Sequence, residues 1–542
     1  MKKAAFHTLG CKVNAYESEA MRELLERNGY TTVAFGEPAD VIVINTCSVT
    51  NIADRKSRQM LHRARKFCPD AVIVAAGCYV QESPEKAAAD QAVDLVIGND
   101  RKTELPALLD RWFAEHPERA AKLASASAGR PEKETGTAGL AERSLQSESA
   151  GTDGPAGQPG NTPAAAQIAA GADQKRYEEM SVSSAADRTR AFLKIQDGCN
   201  QFCSYCIIPY VRGRVRSRRP EEIVEEAGRL AAGGLKEIVL TGIHLSSYGT
   251  DFRAAAAPAV ASAQAVSRPA ETVSPPAQVT LQASPGILSG GNAADIRQAS
   301  DYQSGRWDGT ELLRLIEALS AVKGIERIRL GSLEPRLITR DFAQSLASLE
   351  KVCPHFHLSL QSGSRTVLAR MNRRYTPEEY LGNCEILREA FHNPAITTDV
   401  IAGFPGETEK EFRETVDFVR KVHFYEMHVF KYSRRKGTRA DRMPDQIPEA
   451  VKAERSDVLL RLAAEMSAEY RRRFIGRELS VLTEQTETVD GRARMVGHSG
   501  EYILCALPGT VAENRLLKVT ARELSADETV LICDTPENPE KA

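Results

Sequence analysis

Three cysteines stand in one short run, Asp197-Gly198-Cys199-Asn200-Gln201-Phe202-Cys203-Ser204-Tyr205-Cys206. Spaced by three residues and then by two, they let a single loop turn all three thiolates towards one centre. Soft thiolates suit an iron–sulfur cluster, and three ligands to a four-iron cubane leave the fourth iron open for chemistry. A structural zinc site would want a fourth cysteine or histidine. No cysteine follows closely, and the next histidine is His244. The run reads as the ligand loop of a catalytic cluster.

A second set is dispersed. Cys11 follows Leu9-Gly10, Cys47 follows Asn45-Thr46 and Cys78 follows Ala76-Gly77, each just past the carboxyl end of an expected strand. That edge is where open α/β sheets gather ligands. The intervals of 36 and 31 residues each fit one strand–helix–strand unit, so adjacent strands can bring the thiols together. A lone cysteine is ordinarily a small buried hydrophobe, which is the reading for Cys68, Cys353, Cys384, Cys505 and Cys533. Three at equivalent positions imply a second cluster.

Both sets need strands to carry them, and the pattern supplies these. Residues 1–113 alternate short apolar runs (Ala4–Leu9, Val41–Asn45, Ala71–Ala76) with helical periodicity such as Ser18–Asn28, the mark of an open parallel α/β sheet. Residues 114–190 are rich in Ala, Gly, Ser, Pro, Glu and Gln and read as a mostly disordered linker. Residues 254–304 read as a second such insert. The rest of 191–473 gives six strand–helix pairs, with strands near Phe192–Ile195, Glu237–Leu240, Arg327–Leu330, His355–Leu360, Thr397–Ile401 and His428–Tyr432. Eight such units close a barrel, and six make a partial (β/α)6 barrel. Residues 475–534 change to five short β runs, enough for a small β-barrel. The fold class is therefore α/β throughout, with this β-barrel at the C-terminal end.

Composition narrows the setting. The 542 residues allow two to four domains. A formal net charge of −2 gives no whole-molecule field for a nucleic acid, so such a partner must be read from local patches. No apolar run approaches membrane-spanning length. Met1-Lys2-Lys3 is followed by only three apolar residues, too few for a signal peptide. The 11 cysteines fit a reducing, cytoplasmic compartment, where metal binding outweighs disulfides.

The cysteine spacing resembles the signature of radical S-adenosylmethionine (SAM) enzymes. Resemblance implies a 4Fe-4S cluster on Cys199, Cys203 and Cys206, whose open iron binds SAM and whose reduction yields a 5′-deoxyadenosyl radical. It also implies SAM contacts at Tyr205, at Thr241 and Gly242 (where the family's glutamate is missing) and in the Gly403-Phe404-Pro405-Gly406-Glu407 turn, through Gly403, Gly406 and Glu407. Together with the terminal β domain, the two cysteine sets resemble the methylthiotransferases, over all of the chain but the two inserts. There the implied auxiliary 4Fe-4S cluster falls on Cys11, Cys47 and Cys78, and the terminal TRAM domain engages substrate.

The run from Thr8 to Glu19 and the run Ile207–Arg214 are most similar to the MtaB group, which methylthiolates N6-threonylcarbamoyladenosine beside the tRNA anticodon. The sister groups act on isopentenyladenosine or on a ribosomal-protein aspartate, and these stand as alternatives. A non-catalytic iron–sulfur RNA-binding protein is the remote one. An electron donor and a sulfur source are required partners. Arg212, Arg214, Arg216, Arg218 and Arg219, just beyond the cluster loop, are expected to meet RNA phosphates. Arg434, Arg435, Lys436 and Arg439 form a second basic patch.

Overall fold

A computed structural model describes residues 1–128, 165–167, 176–183, 189–252 and 309–534. The first unit is a parallel sheet in which β1 (Lys2–Thr8), β3 (Val41–Thr46) and β4 (Val72–Gly77) lie side by side. β2 (Tyr30–Val33) flanks β1, β5 (Leu95–Ile97) flanks β4, and β6 (Ala165–Gln167) extends that edge. β3 and β4 are buried at every position, as expected of strands covered on both faces. Helix α1 (Lys12–Arg27) packs on one face and α2 (Asn51–Phe67) on the other, where Leu61 and Ala64 meet Ile42, Ile44 and Ile73.

The second unit carries six parallel strands: β7 (Arg190–Asp197), β9 (Glu237–Gly242), β10 (Arg327–Leu330), β11 (His355–His357), β12 (Ala395–Ala402) and β13 (Glu426–Lys431). Single bridges, Ile328 to Val352 and Leu333 to Leu358, join β10 to the β11 segment. The result is a partial barrel, with the short β8 (Arg216–Ser217) returning antiparallel beside β7. Its outer face is sealed by helices, including Pro220–Ala232, Thr310–Ser320, Pro377–Ala390 and Glu449–Arg472. The third unit is a closed five-stranded barrel ordered β14 (Glu478–Val489), β15 (Arg492–Ser499), β16 (Leu504–Pro508), β18 (Leu531–Asp534), β17 (Leu516–Leu524).

Three stretches depart from the expected linker, the first being β6 at the sheet edge. Residues Pro117–Ala128 form a helix, with Leu123 buried and Arg119 paired to Asp94. Alanine is the best helix former, so an alanine-rich segment carrying one buried leucine need not be low-complexity chain. Residues 176–183 run across the junction of the first two units. Tyr177 donates its hydroxyl to Lys194 O (2.9 Å), Tyr16 donates to Met180 O (2.6 Å), and Val182 N–H donates to the Glu226 carboxylate (3.1 Å). The remainder of that linker and the expected insert over 254–304 lie outside the described residues. Among the described residues no helix is long and apolar enough to cross a membrane.

The terminal β-barrel docks at the amino ends of the central strands. Arg327 donates to His498 O (2.9 Å) and Arg329 to Gly500 O (3.0 Å) and Ser499 O (3.2 Å). Both guanidinium groups are held by the buried Glu237.

Candidate functional site: two cysteine triads and the ion network between them

Because β1, β3 and β4 are neighbours, Cys11, Cys47 and Cys78 all leave the sheet at its carboxyl edge. Gly10 sits at φ +102°, and a Cβ there would fall 2.8 Å from Cys47 Cβ and 2.9 Å from its Sγ. Only glycine lets the first cysteine loop lie this close to the second. Burial pushes the Cys11 thiol up and the Cys47 thiol up to about 12, with the neighbouring cysteines adding to both. Such thiols stay protonated until a metal displaces the proton.

The second triad sits on the loop after β7. Burial, reinforced by Cys203, raises the Cys199 thiol far above its ordinary value, and the same pair of causes lifts Cys206 to about 12. The loop is clamped from the segment after the helix Arg365–Arg370. Ser204 N–H donates to Met371 O (2.9 Å), Asn372 Nδ2 to Phe202 O (2.9 Å) and Arg373 to Cys203 Sγ (3.2 Å). Arg373 is held in turn by the buried Glu334 (3.0 Å).

The donor sets fit clusters better than single ions. Each set offers three thiols and no histidine or fourth cysteine, as a cluster with one open iron needs and a tetrahedral zinc ion does not. Each triad also has a guanidinium aimed at a sulfur: Arg373 at Cys203, and Arg212 at Cys78 (3.3 Å). Hydrogen bonds of this kind orient and tune a metal centre.

Arg212 belongs to a buried network that joins the two units. It donates to Glu17 (2.8 Å), Asp197 (3.2 Å) and Asn14 Oδ1 (2.8 Å). Lys102 reaches Glu17 (2.6 Å), and Lys194 reaches both Glu17 and Asp197 (2.7 Å each). Burial works against the Glu17 charge, but Arg212, Lys102 and Lys194 outweigh it and hold the carboxyl well below its usual range. Arg216 also lies 3.7 Å from Asp197, so four cations face two anions beside the first triad, and the surplus positive charge suits an anionic, thiolate-held cluster.

This network corrects the reading of the arginine run. Arg212, Arg216 and Arg218 are buried: Arg212 in the network, Arg216 donating to Arg212 O (2.8 Å), Arg218 against Glu226. Buried in this way, their guanidinium groups do not reach the surface where phosphates would meet them. Arg219 is exposed and Arg214 half-buried, with its guanidinium over the Phe202 ring at 4.6 Å. In the second patch Arg435 is likewise internal, paired across the units with Asp54 and Glu82. Arg434, Lys436 and Arg439 are exposed.

The expected SAM contacts divide. Tyr205 packs with Phe404 in one small apolar cluster, so the turn after β12 meets the cysteine loop. Thr241 is buried and Gly242 half-buried at the end of β9, where a Cβ on Gly242 would lie 2.9 Å from Gln196 Oε1. Gly403 has φ +73°, and its missing Cβ leaves room for the Lys452 side chain rather than for a ligand. Gly406, also with positive φ, presents its carbonyl to Arg370 (3.2 Å). Glu407 accepts from Gly403 N–H (2.8 Å) and Arg455 (2.8 Å), so it braces the turn from inside. The sequence reading missed Arg373, Glu334, Gln201 and His244. His244 bonds Gln201 (3.1 Å) and lies 3.7 Å from Glu334. Their only sequence signal is polarity near strand ends, which is too common to single them out.

Fold and site together define an enzyme with a radical SAM-type partial barrel and a second cysteine triad in its own α/β unit. Residues 193–419 match the Radical SAM superfamily, and residues 3–98 match the Uncharacterized protein family UPF0004. The chain is 36% identical to the threonylcarbamoyladenosine tRNA methylthiotransferase MtaB of Bacillus subtilis, over 94% of this chain and 91% of that protein. It is 34% identical to the MtaB of Aquifex aeolicus, over 89% and 92%. Identity to the tRNA-2-methylthio-N(6)-dimethylallyladenosine synthase of Caldicellulosiruptor saccharolyticus is 31%, over 91% and 86%. This chain belongs to the radical SAM methylthiotransferase family.

Proposed function

We propose that this protein transfers a methylthio group to carbon 2 of N6-threonylcarbamoyladenosine beside the anticodon of tRNA, in the cytoplasm, drawing on an electron donor and a sulfur source. The observation that carries it is the placement of two cysteine triads, one on each of two abutting strand-edge loops systems, joined by a single buried ion network. Carbon 2 of adenine has no acidity that a base could use, so its functionalisation calls for radical chemistry. When bound, the two 4Fe-4S clusters and SAM would supply that one-electron chemistry and the methyl carbon, the sulfur being drawn from the sulfur source.

The chain's own residues hold and position these groups. Cys199, Cys203 and Cys206 would carry one cluster, with Arg373 donating to a ligand sulfur and Tyr205 packing the loop against Phe404. Cys11, Cys47 and Cys78 would carry the other, with Arg212 donating to Cys78. Glu334 and His244 supply a carboxylate and an imidazole on the same rim as the radical triad. The terminal β-barrel, with exposed Arg219 and the exposed members of the second basic patch, is the proposed tRNA grip.

Mass spectrometry of tRNA nucleosides from a deletion strain, with and without the restored gene, tests this. The expected result is threonylcarbamoyladenosine lacking its 2-methylthio group. Loss of the methylthio group from the isopentenyl nucleoside instead would favour the second reading, which the 31% identity to a dimethylallyladenosine enzyme keeps in view.

A further inference from the structure

The arginine run was the expected source of cations for a carboxylate-bearing base, and the structure removes it from that role. A different set of residues is available inside the barrel. The outer residues of β12 and β13, such as Ile396, Val400 and Met427, pack under helices in the main core. The opposite, inner face has no such cover. In register it carries Asp399 beside His428 and, one step nearer the cysteine loop, Ile401 beside Phe430. His357 on β11 joins them. The atoms of His357, Asp399 and His428 that can bind a ligand all lie within 4.8 Å of one another.

Two features mark this face as unfinished without a ligand. Phe430 is 46% exposed, and His428 is exposed beside it. Ile401 packs into the same small cluster as Tyr205, so the Phe430 ring lies towards the radical triad. The second feature is Lys12, directly after the cluster ligand Cys11. Its side chain is exposed, and it makes no hydrogen bond or ion pair with any described residue. Arg329, Arg190, Glu237 and Asp399 all lie near enough to act on its charge, and Lys12 in turn acts on the neutral His355, so it faces the same inner surface. As the first residue of α1 it also adds to the positive end of the helix dipole.

Resting on the function proposed above, we propose that this face, with Lys12, is the recognition site for the modified nucleoside. The adenine stacks on Phe430, the carboxylate of the threonylcarbamoyl group pairs with Lys12, and His357, Asp399 and His428 bond its hydroxyl and carbamoyl groups. Two imidazoles and a carboxylate can hold a divalent ion, but Lys12 on the same side disfavours a cation there. An isopentenyl group would leave Lys12 and these polar groups unpaired, which is how such a site rejects an apolar substituent.

The test is binding to the anaerobically reconstituted protein. Probes are an anticodon stem-loop bearing threonylcarbamoyladenosine, the same loop with the carboxylate reduced to an alcohol, and one bearing isopentenyladenosine. Wild type should prefer the carboxylate loop over the alcohol by roughly ten- to hundred-fold, the size of one charge-assisted hydrogen bond. Lys12→Met should lose that preference with its iron content intact, and Lys12→Arg should keep it. Phe430→Ala, remote from the cysteine loop of the first unit, should weaken all three loops by roughly ten-fold while keeping the preference. An iron-replete Lys12→Met protein that still discriminates, or a Phe430→Ala protein that binds normally, overturns the inference. If wild type itself prefers the isopentenyl loop, the substrate reading falls instead, and the two failures are distinguishable.

Discussion

The two cysteine triads reach similar ends by different routes. Cys199, Cys203 and Cys206 sit on one loop, and the groups that clamp it, Met371, Asn372 and Arg373, belong to the same barrel. Cys11, Cys47 and Cys78 come from three separate strand ends, and the guanidinium on Cys78 is borrowed from the neighbouring unit. The radical site is therefore complete within its own barrel. The auxiliary site is completed only when the two units dock, through Glu17, Lys102, Lys194, Asp197 and Arg212. Its guanidinium donor comes from across the interface, whereas that of Cys203 comes from the same unit.

The largest test of this contrast removes the ligands. Replacing Cys199, Cys203 and Cys206 with alanine should remove about half the iron and abolish SAM cleavage, since three-thiolate ligation leaves the open iron on which it depends. Replacing Cys11, Cys47 and Cys78 should remove the other half yet leave SAM cleavage detectable. Iron and sulfide assays on reconstituted variants decide it, and unchanged iron in either variant would contradict the assignment.

Single arginines sharpen the contrast. Arg212→Met leaves Glu17 and Asp197 partly uncompensated in a fully buried place, at a cost of about 3–5 kcal/mol. Thermal melting should fall markedly, with iron lost from the auxiliary site first. Arg373→Met should keep its iron but lower the reduction potential of the radical cluster, because a positive hydrogen-bond donor to Cys203 is gone. Redox titration followed by electron paramagnetic resonance reads that shift. Equal behaviour of the two variants would mean that the sites are not differently built.

The smallest effect concerns the third unit. Burial disfavours the Glu237 charge, but Arg329, Arg190 and Arg327 outweigh it and hold the carboxyl at about 2, below its ordinary value of 4.5. A depressed carboxyl stabilises the fold above its unfolded value and loses that contribution as pH falls through the folded one. Docking of the β-barrel should thus weaken between about pH 4.5 and 2, by about 3 kcal/mol in all. Glu237→Gln should melt lower than wild type near neutral pH, and the difference should shrink on acidification. A constant difference across pH would show that Glu237 is not the group responsible.

The resemblance to MtaB in the run from Thr8 to Glu19 turns out to have mixed physical content. Tyr16 and Glu17 serve the junction of the units, through Met180, Glu226 and Arg212. Asn14 bonds Leu9 O and Thr46 O, fixing the loops that carry Cys11 and Cys47. Of that signature Cys11 and Lys12 are exposed, and in the site proposed above Lys12 faces the substrate. A sequence signature can therefore point to the right family while most of its residues act on architecture.

The main strands, and the cysteines at their ends, were legible because each rests on local pattern. Apolar runs marked β1, β3, β4 and the barrel strands, and a cysteine at a strand end needs only the parallel order to find its partners. The short β2 and β5 escaped, since three or four residues carry too little periodicity. Arginine roles were not legible. A guanidinium in a run of five looks the same whether it meets a phosphate or a carboxylate far away in the chain, and Glu17 lies 195 residues from Arg212. What the sequence put forward by itself was the candidate chemistry: three thiols in one loop and three at strand ends, on which kind of sheet, because ligand type and spacing are local properties. Tertiary structure alone decided which charges are spent inside the protein and which face a substrate, because burial and pairing depend on neighbours that only the folded chain brings together.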